Sequence, residues 1–129
     1  MKILQPPGWP RPKGYSNGIS ARGRLIVTGG IVGWDESESF VSDTLAGQFA
    51  QALRNIVAIL AEDGAGPEQI VRMTCYVTDI EAYRASLQEI GDSWKQIIGR
   101  HYPAMALVAV TALVEAGALV EIEAIAVVE

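Results

Sequence analysis

Leu119-Val120-Glu121-Ile122-Glu123-Ala124-Ile125-Ala126-Val127 alternates with a period of two. Successive strand side chains point to opposite faces, so this stretch has two distinct sides. Val120, Ile122, Ala124 and Ala126 make an uncharged face suited to packing against helices. Leu119, Glu121, Glu123 and Ile125 make the other. That second face sets two carboxylates among apolar neighbours, and burying a charge is costly unless it is paired. The strand, about 118–128, thus requires helices on one side and some other cover on the second.

The rest of the chain supplies the helices. Leu45, Phe49, Leu53, Ile56 and Leu60 repeat at three- and four-residue spacings, the mark of one buried helical stripe. Asp43 is the expected N-cap, and the helix runs to about Asp63 before Gly64 ends it. Tyr83, Leu87, Ile90, Trp94 and Ile97 or Ile98 give a second stripe, read as one helix over 81–99. Between the helices, Val71, Met73, Cys75 and Val77 alternate with Arg72, Thr74, Tyr76 and Thr78, a strand over 70–78. A further strand is expected at about 104–113. The Glu115-Ala116-Gly117 turn then suits an antiparallel hairpin with the last strand.

Upstream, 15–21 and 24–29 read as a hairpin about Arg22-Gly23, with Gly29-Gly30 breaking its second strand. Residues 33–42 form a polar loop. Pro6, Pro7, Pro10 and Pro12 make residues 1–14 an arm on the body of a single domain spanning 1–129, with Trp9 packing against it or a neighbouring subunit. The order is ββαβαββ: an α+β fold, a mixed sheet with two helices on one face. No third helix is available for the other face, which predicts an oligomer whose sheets face one another; a monomer with one wet sheet face is the alternative.

Composition agrees. Half of the 129 residues are hydrophobic and 19% are charged, against roughly 25% charged in an ordinary soluble domain. That surplus of apolar surface suits a subunit interface. Ten Lys and Arg against fifteen Asp and Glu give a net charge of −5. An acidic chain without a basic cluster is a poor nucleic-acid binder, because phosphate contacts need concentrated positive charge. One cysteine, Cys75, and one histidine, His101, leave no disulfide framework, no Cys-rich zinc site and no conventional catalytic triad. A single histidine also argues against a His-based metal site. No leader or membrane span is evident, so a cytoplasmic protein is expected.

Several residues offer chemistry. A partly desolvated carboxylate in the last strand gains basicity and can hold and deprotonate a water. A salt bridge to an Arg, or exposure on an edge strand, is the alternative for Glu121 and Glu123. For Glu123 a structural pairing is expected, with no partner evident. Gly29 and Gly30 present backbone to a ligand or simply turn the chain. Tyr15 offers a phenol to a pocket or packs in the core. Trp34 lines an apolar pocket or caps the core. Arg100 and His101 suit a helix C-terminus through its dipole. Cys75 falls on the apolar set of its strand and reads as a small core residue, since nothing near it in sequence would lower its pKa.

Taken together, Gly14-Tyr15-Ser16, Thr28-Gly29-Gly30-Ile31, Tyr102-Pro103-Ala104 and the closing run from Gly117 to Val127 resemble the RidA family, also called YjgF/YER057c/UK114. The resemblance covers about residues 14–128, with the elements in the same order. It implies a chorismate-mutase-like fold and a homotrimer with clefts between neighbouring subunits. It also implies hydrolysis of enamines and imines to a carbonyl compound and ammonia, without metal or organic cofactor. In this resemblance Tyr15 matches a cleft tyrosine. Gly29 matches the glycine of the family's Ser-Gly-Gln, with Thr28 for the serine and Gly30 for the glutamine. Glu121 matches the glutamate that positions the attacking water.

One position departs. The family pattern places a carboxylate-binding arginine after Pro-Ala, and here Met105 follows Pro103-Ala104. Each charge-assisted hydrogen bond of an arginine is worth about 1.5–3 kcal/mol, and a methionine supplies none. Ala106, Leu107 and Val108 follow, so the pocket floor reads as apolar. Three outcomes are open: a different imine or enamine; recruitment of Arg24, Arg100 or His101 as the cation; or binding of a small apolar or aromatic ligand without catalysis. Trp34, Met105, Leu107 and Tyr15 would suit such a ligand.

Overall fold

The C-terminal strand is the centre of the molecule. The computed structural model describes residues 1–129. The strands are β1 (Lys2–Leu4), β2 (Gly18–Ser20), β3 (Arg24–Val27), β4 (Ile31–Val32), β5 (Ile70–Val77), β6 (Ala104–Ala109) and β7 (Val120–Val128). The helices are α1 (Leu45–Ala61), α2 (Ile80–Ala85) and α3 (Leu87–Ile97). The main sheet runs β3-β7-β5-β6, with β4 also on β7. Only β5 and β6 pair in parallel. The α+β class and the mixed sheet with helices match the expectation. No helix is long and apolar enough to cross a membrane.

The period-two reading of β7 holds residue by residue. Val120, Ile122, Ala124 and Ala126 are buried, while Glu121, Glu123 and Ile125 are half-buried on the opposite face. Met73, Cys75 and Val77 of β5 join the buried face, where they meet Phe49, Leu53, Ile56 and Leu60 of α1 and Ile90 and Trp94 of α3. All belong to one apolar cluster. Cys75 is fully buried within it, and burial pushes its thiol from 9.0 up to about 12. It is a core residue, as its strand position implies.

Four expectations are corrected. The N-terminal hairpin does not form. Lys2–Leu4 instead pairs antiparallel with Gly18–Ser20 in a small separate sheet, and β3 pairs with β7. The Pro-rich arm therefore begins with a strand, and Trp9 within it is exposed. The N-cap of α1 is Thr44 rather than Asp43: its hydroxyl accepts from the Gly47 N–H at 3.1 Å. The second helix is two, broken at Ser86, whose hydroxyl turns back to the Ala82 carbonyl at 2.7 Å. Such back-bonding by serine competes with the helical ladder.

Finally, β6 and β7 are not a hairpin, because β5 lies between them. The link from 110 to 119 crosses the end of β5, where Val110 donates to Val77 and Thr78 donates to Leu119. Alternation marks a strand but carries no record of its neighbour. The end of α1 is as expected. Gly64 follows the C-cap with φ +72°, a left-handed backbone that glycine adopts without strain.

Candidate functional site

On the open face of the sheet, β7 sets Glu121 opposite Val32 on one side and Tyr76 on the other. Between β3 and β4 the chain leaves the ladder at 28–30. Thr28 fills the gap. Its hydroxyl accepts from the Ala124 N–H at 3.0 Å and donates to the Gly29 carbonyl at 2.8 Å. This turns Gly30 onto the Glu121 side chain. A Cβ at Gly30 would fall inside the Glu121 carboxylate. Glycine at 30 is what lets that carboxylate lie against bare backbone.

The two glutamates have different surroundings. The Tyr76 hydroxyl donates to Glu123 Oε1 at 2.7 Å, so Glu123 has the structural partner the sequence did not reveal. That hydrogen bond, then desolvation and the charges of Glu123 and Glu121, raise the Tyr76 pKa, with Arg72 opposing. Tyr76 is thus held as a neutral donor. Glu121 makes no side-chain hydrogen bond and no ion pair, and Gly30 is at its side. Its oxygens are free to accept from a water.

A second group assembles on the helix face. Met105 and Leu107 stand beside Met73 and Cys75 in the parallel β5–β6 pair, so they point toward the helices. Tyr15 is delivered there by Ser16, which bridges to Ala104. The Ser16 N–H donates to Pro103 at 3.0 Å and its hydroxyl to the Tyr102 carbonyl at 2.5 Å. Between these residues and α2–α3 is a cavity of about 440 Å³. Tyr83, Ile90 and Trp94 form its helical wall, and Lys13 and Lys95 also line it. Tyr102 stacks on Trp94 with ring centroids 6.2 Å apart, and the Trp94 indole N–H donates to the His101 carbonyl at 3.0 Å. The Tyr83 hydroxyl, desolvated here, has its pKa raised.

The sequence-predicted residues therefore fall into separate groups. Gly29, Gly30 and Glu121 share the open sheet face. Tyr15, Met105 and Leu107 share the cavity on the helix face. Trp34 joins neither: its ring packs on Phe40 at 5.7 Å, and its carbonyl accepts from Asn55 at 2.8 Å. Arg24 pairs with Asp63 at the sheet margin. His101 bonds the Ile70 carbonyl through Nε2 at 2.6 Å. Arg100 and His101 line a separate cleft with Arg11, to which Tyr15 and Tyr102 also contribute. None of the three proposed cations lines the cavity at Met105. Lys13 and Lys95 do, and sequence reasoning missed them. No local signal marked them, because Lys95 is exposed beside the buried Ile90–Trp94 stripe of α3 and reads in sequence as an ordinary solvated lysine. No group of three or more His, Cys, Asp or Glu is placed to hold a metal.

A helix-backed mixed sheet with a free carboxylate on its open face and an apolar pocket beside its edge strand describes a known class. The family model described as Endoribonuclease L-PSP matches residues 10–128. A RutC family protein of Aquifex aeolicus is 33% identical over 98% of this chain and 99% of its own length. The human protein named 2-iminobutanoate/2-iminopropanoate deaminase is 32% identical over 81% of this chain and 73% of its own. Among solved structures, a conserved Rid-family protein of Yersinia pestis superposes with a TM-score of 0.86 at 28% identity, covering 98% of each chain. A YjgF/YER057c/UK114 family member from Mycobacterium tuberculosis is 39% identical with a TM-score of 0.67, covering 90% of this chain and 88% of that one. The chain belongs to the RidA, or YjgF/YER057c/UK114, family.

Proposed function

We propose that this protein hydrolyses an imine or enamine to a carbonyl compound and ammonia, with a substrate other than the small 2-imino acids named for its human relative. The observation that carries the reading is the unpaired Glu121 carboxylate against Gly30. Glu121 accepts a hydrogen bond from a water and takes its proton as the oxygen bonds to the imine carbon. That proton passes to the nitrogen, giving a carbinolamine; Glu121 then takes the hydroxyl proton and returns it to the nitrogen, so that the C–N bond breaks and ammonia leaves as the carbonyl forms. The Gly29-Gly30 backbone and Tyr15 position the substrate, and Met105 and Leu107 floor its apolar end.

Glu121 and Met105 lie on opposite faces of one sheet, so a complete site needs two copies. In this proposal the Glu121 corner of one subunit closes over the Tyr15–Met105 cavity of its neighbour, three times around a trimer. The test is an imine-hydrolysis assay, with imines made in situ by an amino-acid oxidase from aromatic and acidic amino acids. Glu121→Gln is expected to lose at least about 100-fold in rate, the lower range for a positioned acid–base group. A rate equal to wild type would remove Glu121 from the mechanism.

A second reading, a ligand-binding trimer without turnover, is favoured by Met105 alone. Met105→Arg separates the two. Activity in wild type supports the deaminase. Activity only in Met105→Arg leaves a competent Glu121 with specificity away from 2-imino acids. Activity in neither supports the binding protein. RNA cleavage, the activity in the family model's description, finds no basic stripe here and a net charge of −5. It would require RNA binding that weakens with salt.

A further inference from the structure

The cavity beneath β6 has an unusual charge pattern for this chain. The protein has fifteen acidic residues, yet no Asp or Glu lines the cavity. Its two charged lining residues are both lysines, Lys13 from the N-terminal arm and Lys95 from α3. Neither makes an ion pair. Lys95 is exposed on α3 next to buried Trp94, so it lines the cavity at its solvent side, where a lysine keeps its charged head in water. The remaining surface is aromatic or aliphatic, with Tyr15, Tyr83, Trp94 and Met105 among it.

The space itself is kept open by a residue with no packing reason to be there. Gly91 lies in the middle of α3, has an ordinary helical backbone, and would meet nothing within 4 Å if it carried a Cβ. Glycine inside a helix is unfavourable relative to alanine. Here its missing side chain enlarges the cavity, which at about 440 Å³ falls in the roughly 300–1,000 Å³ range of small-ligand sites.

We infer that this cavity takes an aromatic or branched apolar molecule ending in one anionic group, with Lys13 and Lys95 holding the anion in place of the arginine absent at 105. The inference rests on the cavity being the substrate-side half of the site proposed above, and it names the class of compound that enters. The apolar body sits between Met105 and α3 at Gly91. The anion stays at the rim, where two flexible ammonium groups act as point charges rather than as a bidentate fork.

The test uses 3-phenylpropionate and its uncharged amide, titrated into the full-length protein by calorimetry. The acid is expected to bind at least 10-fold more tightly than the amide, with the preference shrinking as salt rises. Lys13→Met with Lys95→Met is expected to erase that preference while leaving the amide's affinity unchanged. Gly91→Leu is expected to block both compounds in a folded protein, since it fills the cavity from a helix-interior position that favours leucine over glycine. Equal affinity for acid and amide, no binding of the acid, a preference that survives the double substitution, or normal binding to Gly91→Leu would each overturn the inference. Glu121→Gln keeps the two proposals apart. Selective acid binding in a protein that turns over no imine would defeat the catalytic reading alone. Glu121-dependent turnover without acid preference would defeat this one alone.

Discussion

Gly30→Ala puts a methyl group where the Glu121 carboxylate lies. The obstructing atoms are the end of a flexible side chain, so the fold survives and the carboxylate moves. The expected outcome is normal thermal unfolding with imine turnover reduced at least about 10-fold, toward the effect of losing a positioned base. Unchanged turnover would mean that the Glu121–Gly30 approach is incidental. Gln48 is a residue-scale tie of another kind. Fully buried, it donates to the Ser42 and Gly117 carbonyls at 3.0 Å each and accepts from the Leu119 N–H at 2.8 Å. Gln48→Leu leaves three backbone groups without partners and should lower stability by about 2–4 kcal/mol in denaturant unfolding. Cys75 predicts a pH effect. Its folded pKa is raised to about 12 from an ordinary 9.0. The unfolded chain therefore loses this proton first, and stability falls as pH rises from 9 toward 12, by up to about 4 kcal/mol. Cys75→Val should flatten that alkaline slope relative to wild type.

At the scale of elements, α3 balances stability against space. Gly91→Ala adds a methyl into open space and removes a helix-interior glycine. It should stabilise the protein by about 0.5–1 kcal/mol, read as a higher melting temperature, while narrowing the cavity. A destabilised variant would show that some unseen packing demands glycine there. The helix α1 does more than cover the sheet. Gln48 and, two turns later, Asn55 reach off it to fasten the neighbouring loops, Asn55 donating to the Val32 and Trp34 carbonyls at 3.1 and 2.8 Å. These polar side chains explain why Trp34, read as a pocket residue, is held away from both site groups.

For the whole molecule, the open sheet face is the surface that calls for a partner. Leu25 and Val27 of β3 are 64% and 61% exposed there, beside half-buried Glu121, Glu123 and Ile125. Exposed apolar surface of this kind marks an interaction site. The expected cover is two further copies of the chain. Leu25→Glu with Val27→Glu should reduce the solution mass, measured by light scattering, from three copies to one. A mass of one copy for the wild type would contradict the trimer and, with it, a site shared between subunits.

Period-two and period-3.6 patterns alone determined β5, β7, α1 and the helical character of 80–97, because each element's solvent contrast is written along its own length. The same patterns placed Glu121 on the face away from the helices and Cys75 in the core. Pairing partners were not legible, since alternation is identical whichever strand lies alongside; hence the two hairpins that the fold replaced with β1–β2, β3–β7 and a crossover past β5. The site divided for the same reason. Tyr15, Met105 and Glu121 belong to one family pattern, but only the parallel β5–β6 register and the central place of β7 set them on opposite faces. Lys13 and Lys95, 82 positions apart by their numbers, meet at one cavity because the bridge from Ser16 to Ala104 brings the arm across the edge strand to α3. Such a long-range contact depends on packing, which no local pattern records.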